Sequence, residues 1–305
     1  MNAYIVLEKA VGETPLSCAE AYRMKHPELT GVPMAYAGRL DPMASGKLLV
    51  LLGEECKQQE KYHRLDKEYE FSVLFGIESD THDVLGRLKT CERNKTAIES
   101  VTLVIEKLIG EITLPYPHFS SRTVQGKPLH MWTLENRLHE IEVPTKKSII
   151  YDLSVTALET KLRTKIADEA REKIDTILPV TDLRKALGND FRRVDIRRDW
   201  EDIKNDYSLP SEYTIAHFRC VASSGTYMRS LADIIAKKLG ACGLAWHIHR
   251  TKMIIYPFKE FLEPRILKTY SLLFLFFGFK SSHLFQVRSD SEHKFRMTPH
   301  QWRGR

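Results

Sequence analysis

One stretch of the sequence limits the possible folds more than any other. It combines a tight turn that carries a single acid with an apolar segment directly after it. The stretch YAGRLDPMASGKLLVLLGEECK spans residues 36–57, and two glycines, Gly38 and Gly46, bracket Asp41. Gly38 tolerates backbone dihedrals that other residues avoid, and Pro42 fixes the chain directly after the acid. The apolar run LLVLL that follows is typical of a protein core. The sequence therefore predicts a carboxylate on an exposed bend beside the core.

An acid at such a bend has two interpretations. An isolated LDP is usually an ordinary turn or cap aspartate. The alternative is a carboxylate nucleophile, and a nucleophile needs partners. Tyr69, on a predicted strand in KEYEF, and Arg229, in the first turns of a predicted helix in SSGTYMRSL, are candidates. An arginine beside a carboxylate would keep it ionised and oriented.

Strands and helices are mixed along the chain without a regular βαβ rhythm. Alternation predicts strands in AYIVLEKAVG, EYEFSVLFG, KSIIYDLSVTALE and YTIAHFRCVASSG. Helices are predicted in PLSCAEAYRMKHP, TAIESVTLVIEKLIG and TYMRSLADIIAKKLG, with Thr14 and Thr96 as N-caps of the first two and Gly240 ending the third. This mixture favours an α+β or mixed-sheet domain over a doubly wound one.

Residues 160–206 differ from the rest of the chain. They contain 12 Lys/Arg, 11 Asp/Glu and few strong core residues, with helical spacing in KLRTKIADEAREKIDTIL. We therefore expect a solvated helical insertion between two strands of one sheet, at about residues 160–212.

Positive charge is concentrated at the C-terminal end. The net charge is +6, and residues 263–305 supply +5 of it through 8 Lys/Arg against 3 Asp/Glu, which leaves +1 for residues 1–262. A mild excess suits a polyanion without proving one. If residues 1–262 bind nucleic acid, their basic side chains must be gathered on one surface, because their net charge is only +1.

The cysteines and the apolar runs indicate a compartment. Five cysteines, at positions 18, 56, 91, 220 and 242, form no CxxC pair, and their odd count argues against a disulfide framework or a zinc cluster. A reducing, cytoplasmic location fits them best. No signal peptide is visible, and the longest apolar run, LLFLFFGF at 272–279, is too short to span a bilayer.

Four segments, in this order, resemble the TruB family of pseudouridine synthases. They are YAGRLDPMASGKLLVLLGEECK, KEYEFSVLFGIESDTHDVLGRL, PYPHFSSRTVQGKPLH and RCVASSGTYMRSLADIIAKKLGACGLAWHIHRT. The resemblance covers roughly residues 3–258 and implies a mixed, largely antiparallel bent sheet with flanking helices. It implies one catalytic domain over 1–262, interrupted by the insertion, and a short basic tail at 263–305 with no clear PUA domain.

The resemblance also implies an activity and a catalytic set. Members isomerise a uridine in RNA to pseudouridine, usually the T-loop uridine of transfer RNA (position 55), and need no metal or organic cofactor. The catalytic aspartate corresponds to Asp41, the tyrosine that packs on the target base and is a candidate for proton transfer to Tyr69, and the arginine that pairs with the aspartate to Arg229. We expect transfer RNA as the partner, no obligatory protein partner, and a monomer.

Four further residues are assigned to substrate binding: Tyr36, Gly38, Asp80 and Tyr227. Asp80 lies in SDTHD, which resembles the family's loop near the substrate, although a polar Asx-type turn explains it equally well. Tyr36 stands where the family usually has histidine. Tyrosine can stack and donate a hydrogen bond, but it cannot carry a proton as histidine does.

Several alternatives stay open at this point. Lys127 and Arg122 are expected either to meet phosphates or to be solvated, and so are four arginines of the insertion, at positions 192, 193, 197 and 198. The residues do not decide whether the carboxylate acts on the sugar or on the base. Two rival functions are a guide-dependent synthase subunit, which needs partner proteins and a guide RNA, and a non-catalytic RNA-folding chaperone.

Overall fold

The structure is a computed structural model that describes residues 3–177 and 192–254. The strands in these two ranges are β1 Tyr4–Lys9, β2 Met34–Ala37, β3 Ala44–Leu52, β4 Asp66–Phe75, β5 Ile77–Ser79, β6 Leu88–Thr90, β7 Gly110–Pro115, β8 Thr123–Val124, β9 Lys127–Pro128, β10 Thr145–Leu162, β11 Glu212–Ala222 and β12 Gly243–Ile254. The α-helices are α1 Pro15–Met24, α2 Gln59–His63, α3 Ile98–Glu106, α4 Leu129–Leu134, α5 Arg163–Asp175, α6 Arg193–Asn205 and α7 Met228–Lys238.

One eight-stranded sheet organises the described part of the chain. Its strand order is β1-β3-β12-β4-β11-β10-β7, and β2 pairs with β3 at the side of this path. Every pairing in it is antiparallel except the one between β3 and β12. This confirms the predicted mixed, largely antiparallel sheet with flanking helices. The predicted tail at 263–305 lies outside the described residues.

The predicted helix ends are mostly confirmed. Thr14 caps α1 in a reciprocal arrangement, since its hydroxyl accepts from the Ser17 amide at 3.0 Å and the Ser17 hydroxyl accepts from the Thr14 amide at 2.9 Å. Gly240 follows the end of α7 with φ +68°. The predicted N-cap of α3 is wrong by one residue. Ala97, which has extended backbone dihedrals, occupies the N-cap position instead of Thr96.

Helices α3 and α7 cover one face of the sheet. Phe71 of β4 and Phe218 of β11 stack on this face with ring centroids 5.0 Å apart. Leu231 and Ile235 of α7 are fully buried in the same cluster. The packing fixes α7 against the central strands, so the residues of its first turn have a defined position over the sheet.

Helices α5 and α6 form the predicted insertion between β10 and β11, but only one side of each helix is solvated. Their apolar residues recur at helical spacing, so each helix buries one stripe while most of its charged residues face away from the sheet. This stripe packs against the opposite face of the sheet, and its members are fully or almost fully buried: Ile166, Ala167, Ala170, Ile174, Ile196, Trp200 and Ile203. The high charge count concealed the stripe, which is why the solvated interpretation was wrong.

Most of the arginine cluster in the insertion is engaged within the protein. Arg193 is buried and donates to the Ile177 carbonyl. Arg197 donates to the Asp175 carboxylate at 2.7 Å. Arg198 is the most exposed of the four, with 66% of its side chain accessible. Contact with phosphates, one of the two alternatives for this cluster, is therefore not supported for its buried and paired members.

Two cysteines depart from the expectation that none would pair. Cys91, just after β6, and Cys242, just before β12, form a disulfide with their Cα atoms 6.1 Å apart. Cys18, Cys56 and Cys220 are free thiols. The two partners are 151 positions apart and meet only because the sheet brings them together, so their spacing carried no signal. Within the described ranges, no helix is both long enough and apolar enough to cross a membrane.

Trp200 provides a test of the packed insertion. Its side chain is fully buried and its indole nitrogen donates to the Val84 carbonyl at 3.1 Å. We expect Trp200→Ala to lower the free energy of unfolding by about 3–5 kcal/mol, because the cavity adds to the lost transfer free energy. Urea denaturation measures this, with Val194→Ala as the control on the same helix.

Val194 is 63% exposed, so its substitution should change the free energy of unfolding by less than about 0.5 kcal/mol. Equal and small effects of the two substitutions would restore the solvated interpretation of the insertion.

Candidate active site

The turn that carries Asp41 joins β2 to β3 and is held from behind by the N-terminal strand. The Pro42 carbonyl accepts from the Gly12 amide at 2.9 Å. The Lys9 ammonium, which is completely buried, donates to the Ala44 carbonyl at 2.5 Å. Burial lowers the pKa of Lys9 to about 8, while nearby acids, among them Glu13 and Asp41, act in the opposite direction. The acid therefore sits on a fixed backbone.

Gly38 lies in the turn and Gly46 lies in β3, and each position favours glycine for a different reason. Gly46 has φ +107°, and it faces Arg250 in the parallel pairing of β3 with β12. A Cβ at Gly46 would lie 2.3 Å from the Arg250 carbonyl oxygen, so only glycine lets the two strands meet. Gly38 has φ +78°, and its carbonyl accepts from the Arg250 guanidinium at 3.1 Å. Arg250 also donates to the Lys47 carbonyl at 2.7 Å, which anchors the turn at both ends.

Arg229 is the group that fixes the Asp41 side chain. It is the second residue of α7 and is almost fully buried. Its Nε donates to Asp41 Oδ2 at 2.7 Å, its Nη1 to the Thr81 carbonyl at 2.9 Å, and its Nη2 to the Phe119 carbonyl at 3.3 Å. Three directed bonds from one planar group leave it a single orientation. The predicted partnership of Asp41 with Arg229 is therefore present in the geometry.

A second carboxylate, Asp83, shares this arginine. Its Oδ2 lies 3.8 Å from Arg229 Nε, and its Oδ1 accepts from the Thr81 hydroxyl at 2.6 Å. Burial opposes the charge on Arg229, but Asp41 and Asp83 outweigh it and raise the pKa of the guanidinium. Burial raises the pKa of Asp83, with Arg229 acting against the rise. The buried cation is thus compensated by two acids, as a buried charge requires.

Tyr69 lies on β4, between its strand partners Cys220 on β11 and Arg250 on β12. Its side chain is buried, and burial raises the pKa of the phenol, with the Arg250 guanidinium acting against the rise. The phenol is therefore neutral at neutral pH and can donate or accept a hydrogen bond. Its ring offers a flat apolar face beside the acid turn.

A cavity of about 760 Å³ opens over this constellation. That volume accommodates a ligand of nucleoside size. Asp41 stands on its wall with 40% of its side chain exposed. Six of the seven residues assigned from sequence line the cavity: Asp41, Tyr69, Arg229, Tyr36, Gly38 and Tyr227. Burial, aided by Asp41, raises the pKa of the Tyr227 phenol.

Asp80, the seventh, does not line the cavity. Its carboxylate accepts from the Arg87 amide at 3.0 Å and from Arg192 at 2.7 Å. The SDTHD segment folds as a tight turn in which His82 has φ +61°, and these two bonds hold the Asp80 carboxylate outside the cavity wall. The same turn presents the Thr81 carbonyl and the Asp83 carboxylate to Arg229 instead.

The cavity wall also includes residues that were not assigned from the sequence, among them Lys67, Arg250 and Phe119. Lys67 donates to the Leu65 carbonyl at 2.5 Å and to the Ser224 hydroxyl at 3.2 Å. Strand alternation could have identified it, because it lies two positions before Tyr69. Arg250 and Phe119 lie in two of the segments that resemble the family, but only the tertiary fold brings their side chains to the site. No group of three or more His, Cys, Asp or Glu within residues 3–177 and 192–254 is arranged to hold a metal ion.

Comparison with known proteins adds independent findings. A family model described as TruB family pseudouridylate synthase (N terminal domain) matches residues 29–173. The chain is 30% identical over 224 residues to tRNA pseudouridine synthase B of Caldicellulosiruptor saccharolyticus, covering 68% of this chain and 71% of that protein. It is 26% identical over 247 residues to tRNA pseudouridine synthase 4 of Saccharomyces cerevisiae, covering 72% of this chain and 60% of that one.

Solved structures give a more distant similarity. A chain of a Cbf5-Nop10-Gar1 complex matches with a TM-score of 0.48 and 17% identity, over 82% of this chain and 48% of that chain. A chain of an H/ACA RNP bound to a substrate RNA containing 2'-deoxyuridine matches with a TM-score of 0.46 and 14% identity, over 91% of this chain and 56% of that chain. This chain therefore spans about half the length of these structural neighbours.

The close approach at Gly46 can be tested by stability. Gly110 is a matched control, because it has the same φ (+107°) but a Cβ added there would have no atom within 4 Å. We expect Gly110→Ala to lower the free energy of unfolding by about 1–3 kcal/mol through backbone strain alone. Gly46→Ala should lower it by a further ~1–3 kcal/mol, because β3 and β12 must move apart.

Urea denaturation of both variants measures the difference between them. Equal losses for the two substitutions would show that the contact between Gly46 and Arg250 does not anchor the turn.

Proposed function

The chain belongs to the TruB family of pseudouridine synthases, and from that premise we propose that it isomerises a uridine in transfer RNA to pseudouridine, at the T-loop. The single observation that supports the chemistry most strongly is the bond from the buried Arg229 to Asp41 at the wall of a nucleoside-sized cavity. Relatives named tRNA pseudouridine synthase support the substrate. The pairing with Arg229 distinguishes Asp41 from an ordinary turn aspartate.

The reaction makes definite demands on such a site. The bond between N1 of uracil and C1' of the ribose must break, the base must turn, and a bond from C5 to C1' must form. The C5 proton leaves and N1 gains one, so the product is an isomer of the substrate. A carboxylate serves either by adding to C1' or by adding to the base, and Asp41 is proposed in one of these two roles.

The detached base must stay in place while it turns. The cavity wall includes the apolar side chains of Leu40, Met228 and Ile248 beside the ring of Tyr69. We assign Tyr69 to stacking on the base, with the C5 proton accepted by a water molecule or by the phenol after it has lost its own proton. A uridine within a folded RNA loop must also be turned out of its stack to enter the cavity.

The other assignments belong to the same proposal. Tyr36, Gly38 and Tyr227 contact the bound nucleotide from the cavity wall. The protein acts in the cytoplasm as a monomer, without a guide RNA or an obligatory protein partner. The rivals are a guide-dependent subunit, which would need both, and an RNA-folding chaperone, which would not need Asp41.

The proposal is tested with purified protein and unmodified transfer RNA, followed by mapping of pseudouridine at nucleotide resolution. We expect one modified uridine in the T-loop with the wild-type protein. Asp41→Asn keeps the shape of the side chain but removes its charge, so turnover should fall to background. RNA affinity should be retained, because phosphate contacts supply most of it.

Two results would contradict the proposal. No pseudouridine with the wild-type protein alone would favour the guide-dependent subunit. Full turnover by Asp41→Asn would remove Asp41 from the chemistry, and an Asp41→Asn variant that retains every RNA-related function would favour the chaperone.

A further inference from the structure

Helix α6 of the insertion binds the segment that follows the Thr81 turn. The Asp199 carboxylate accepts from Arg87 Nε at 2.7 Å and Nη2 at 3.0 Å, and from the Leu88 amide at 3.1 Å. One position along the helix, the Trp200 indole donates to the Val84 carbonyl. These contacts fix α6 to residues 84–88, so the insertion reaches the scaffold of the active site.

Arg192, at the start of α6, extends this contact toward the site itself. Its guanidinium donates to both oxygens of Asp80, at 2.7 Å from Nη1 and 3.3 Å from Nη2. The same group lies over the Phe119 ring, with Cζ 4.4 Å from the ring centroid. Arg192 also has a left-handed backbone, with φ +63°, which non-glycine residues keep only where their surroundings hold them.

The two partners of Arg192 adjoin the two carbonyl acceptors of Arg229. Asp80 directly precedes Thr81, whose carbonyl accepts from Arg229 Nη1. Phe119 supplies its own carbonyl to Arg229 Nη2. These acceptors come from two separate segments of the chain, and Arg192 joins the segments through a forked ion pair on one side and a ring contact on the other.

We propose that Arg192 is a positioning residue for the reaction, a claim that rests on the proposed function. By joining the Asp80–Thr81 turn to Phe119, it sets the spacing of the two carbonyls that orient the Arg229 guanidinium. Arg229 in turn aims its Nε at Asp41. The insertion, which packs on the face of the sheet opposite to α7, thereby supports the catalytic acid. Arg192 acts by contacting the protein and not by contacting RNA phosphates.

The test measures the rate of the chemical step and the RNA affinity separately, in single-turnover assays with saturating transfer RNA and in equilibrium binding. Arg192→Ala should slow the step about 10- to 100-fold, because small misplacements of a catalytic group are costly. Arg192→Lys should recover only part of the rate, since an ammonium lacks the fork. RNA affinity should stay within about 2-fold, and Arg198→Ala, which alters only an exposed arginine of the same helix, should match wild type on both measures.

Asp80→Asn removes the other half of the ion pair at nearly constant size and should slow the step as well. A wild-type rate in Arg192→Ala and in Asp80→Asn would overturn the proposal. So would weaker RNA binding with an unchanged saturated rate, which is the signature of a phosphate contact. Melting temperatures are measured in parallel, and rate loss confined to variants that unfold at the assay temperature would also overturn it.

Wild-type protein that makes no pseudouridine would instead overturn the proposed function. Failure of the positioning role and failure of the activity itself are therefore distinguishable in one set of assays.

Discussion

The buried guanidinium of Arg229 is the group on which the rest of the site depends. A buried cation is costly unless its charge and all of its donors are satisfied. Here two carboxylates, Asp41 and Asp83, balance the charge, and the carbonyls of Thr81 and Phe119 accept one hydrogen bond from each of the two Nη groups. Each of these four partners comes from a part of the chain that must fold correctly before the arginine can be buried. The site and the fold are thus linked energetically.

The sheet explains how these parts converge. The parallel pairing of β3 with β12, which Gly46 permits, brings the acid turn against Arg250. Packing of α7 on the central strands then places Arg229 opposite the turn. The insertion contributes from the other side, where α6 contacts the segment after Asp83. An element that was expected to be a solvated addition is therefore part of the structure that holds the acid.

The sequence predicted local features well and tertiary contacts poorly. The mixed sheet, the α1 cap and the acid turn follow from alternation, capping chemistry and glycine, all of which act over a few residues. The family resemblance supplied the set of Asp41, Tyr69 and Arg229, which the cavity brings together. Arg250 and Phe119 lie in segments that resemble the family, but their contacts with the acid turn and with Arg229, like the Cys91–Cys242 pair, depend on strands distant in sequence becoming neighbours. Asp80 was assigned to the substrate, but its ion pair with Arg192, 112 positions away, is not visible in the residue letters.

We propose that Arg229 orients Asp41 for isomerisation through a fork that only a guanidinium provides. The most direct measurement is the release of tritium to water from transfer RNA labelled at C5 of uridine, in a single turnover at saturating protein. Arg229→Lys keeps the positive charge but cannot bond Asp41, Thr81 and Phe119 together. We expect this variant, folded and bound to RNA, to release tritium at least about 100-fold more slowly than wild type. Release at the wild-type rate would contradict the proposed role of Arg229.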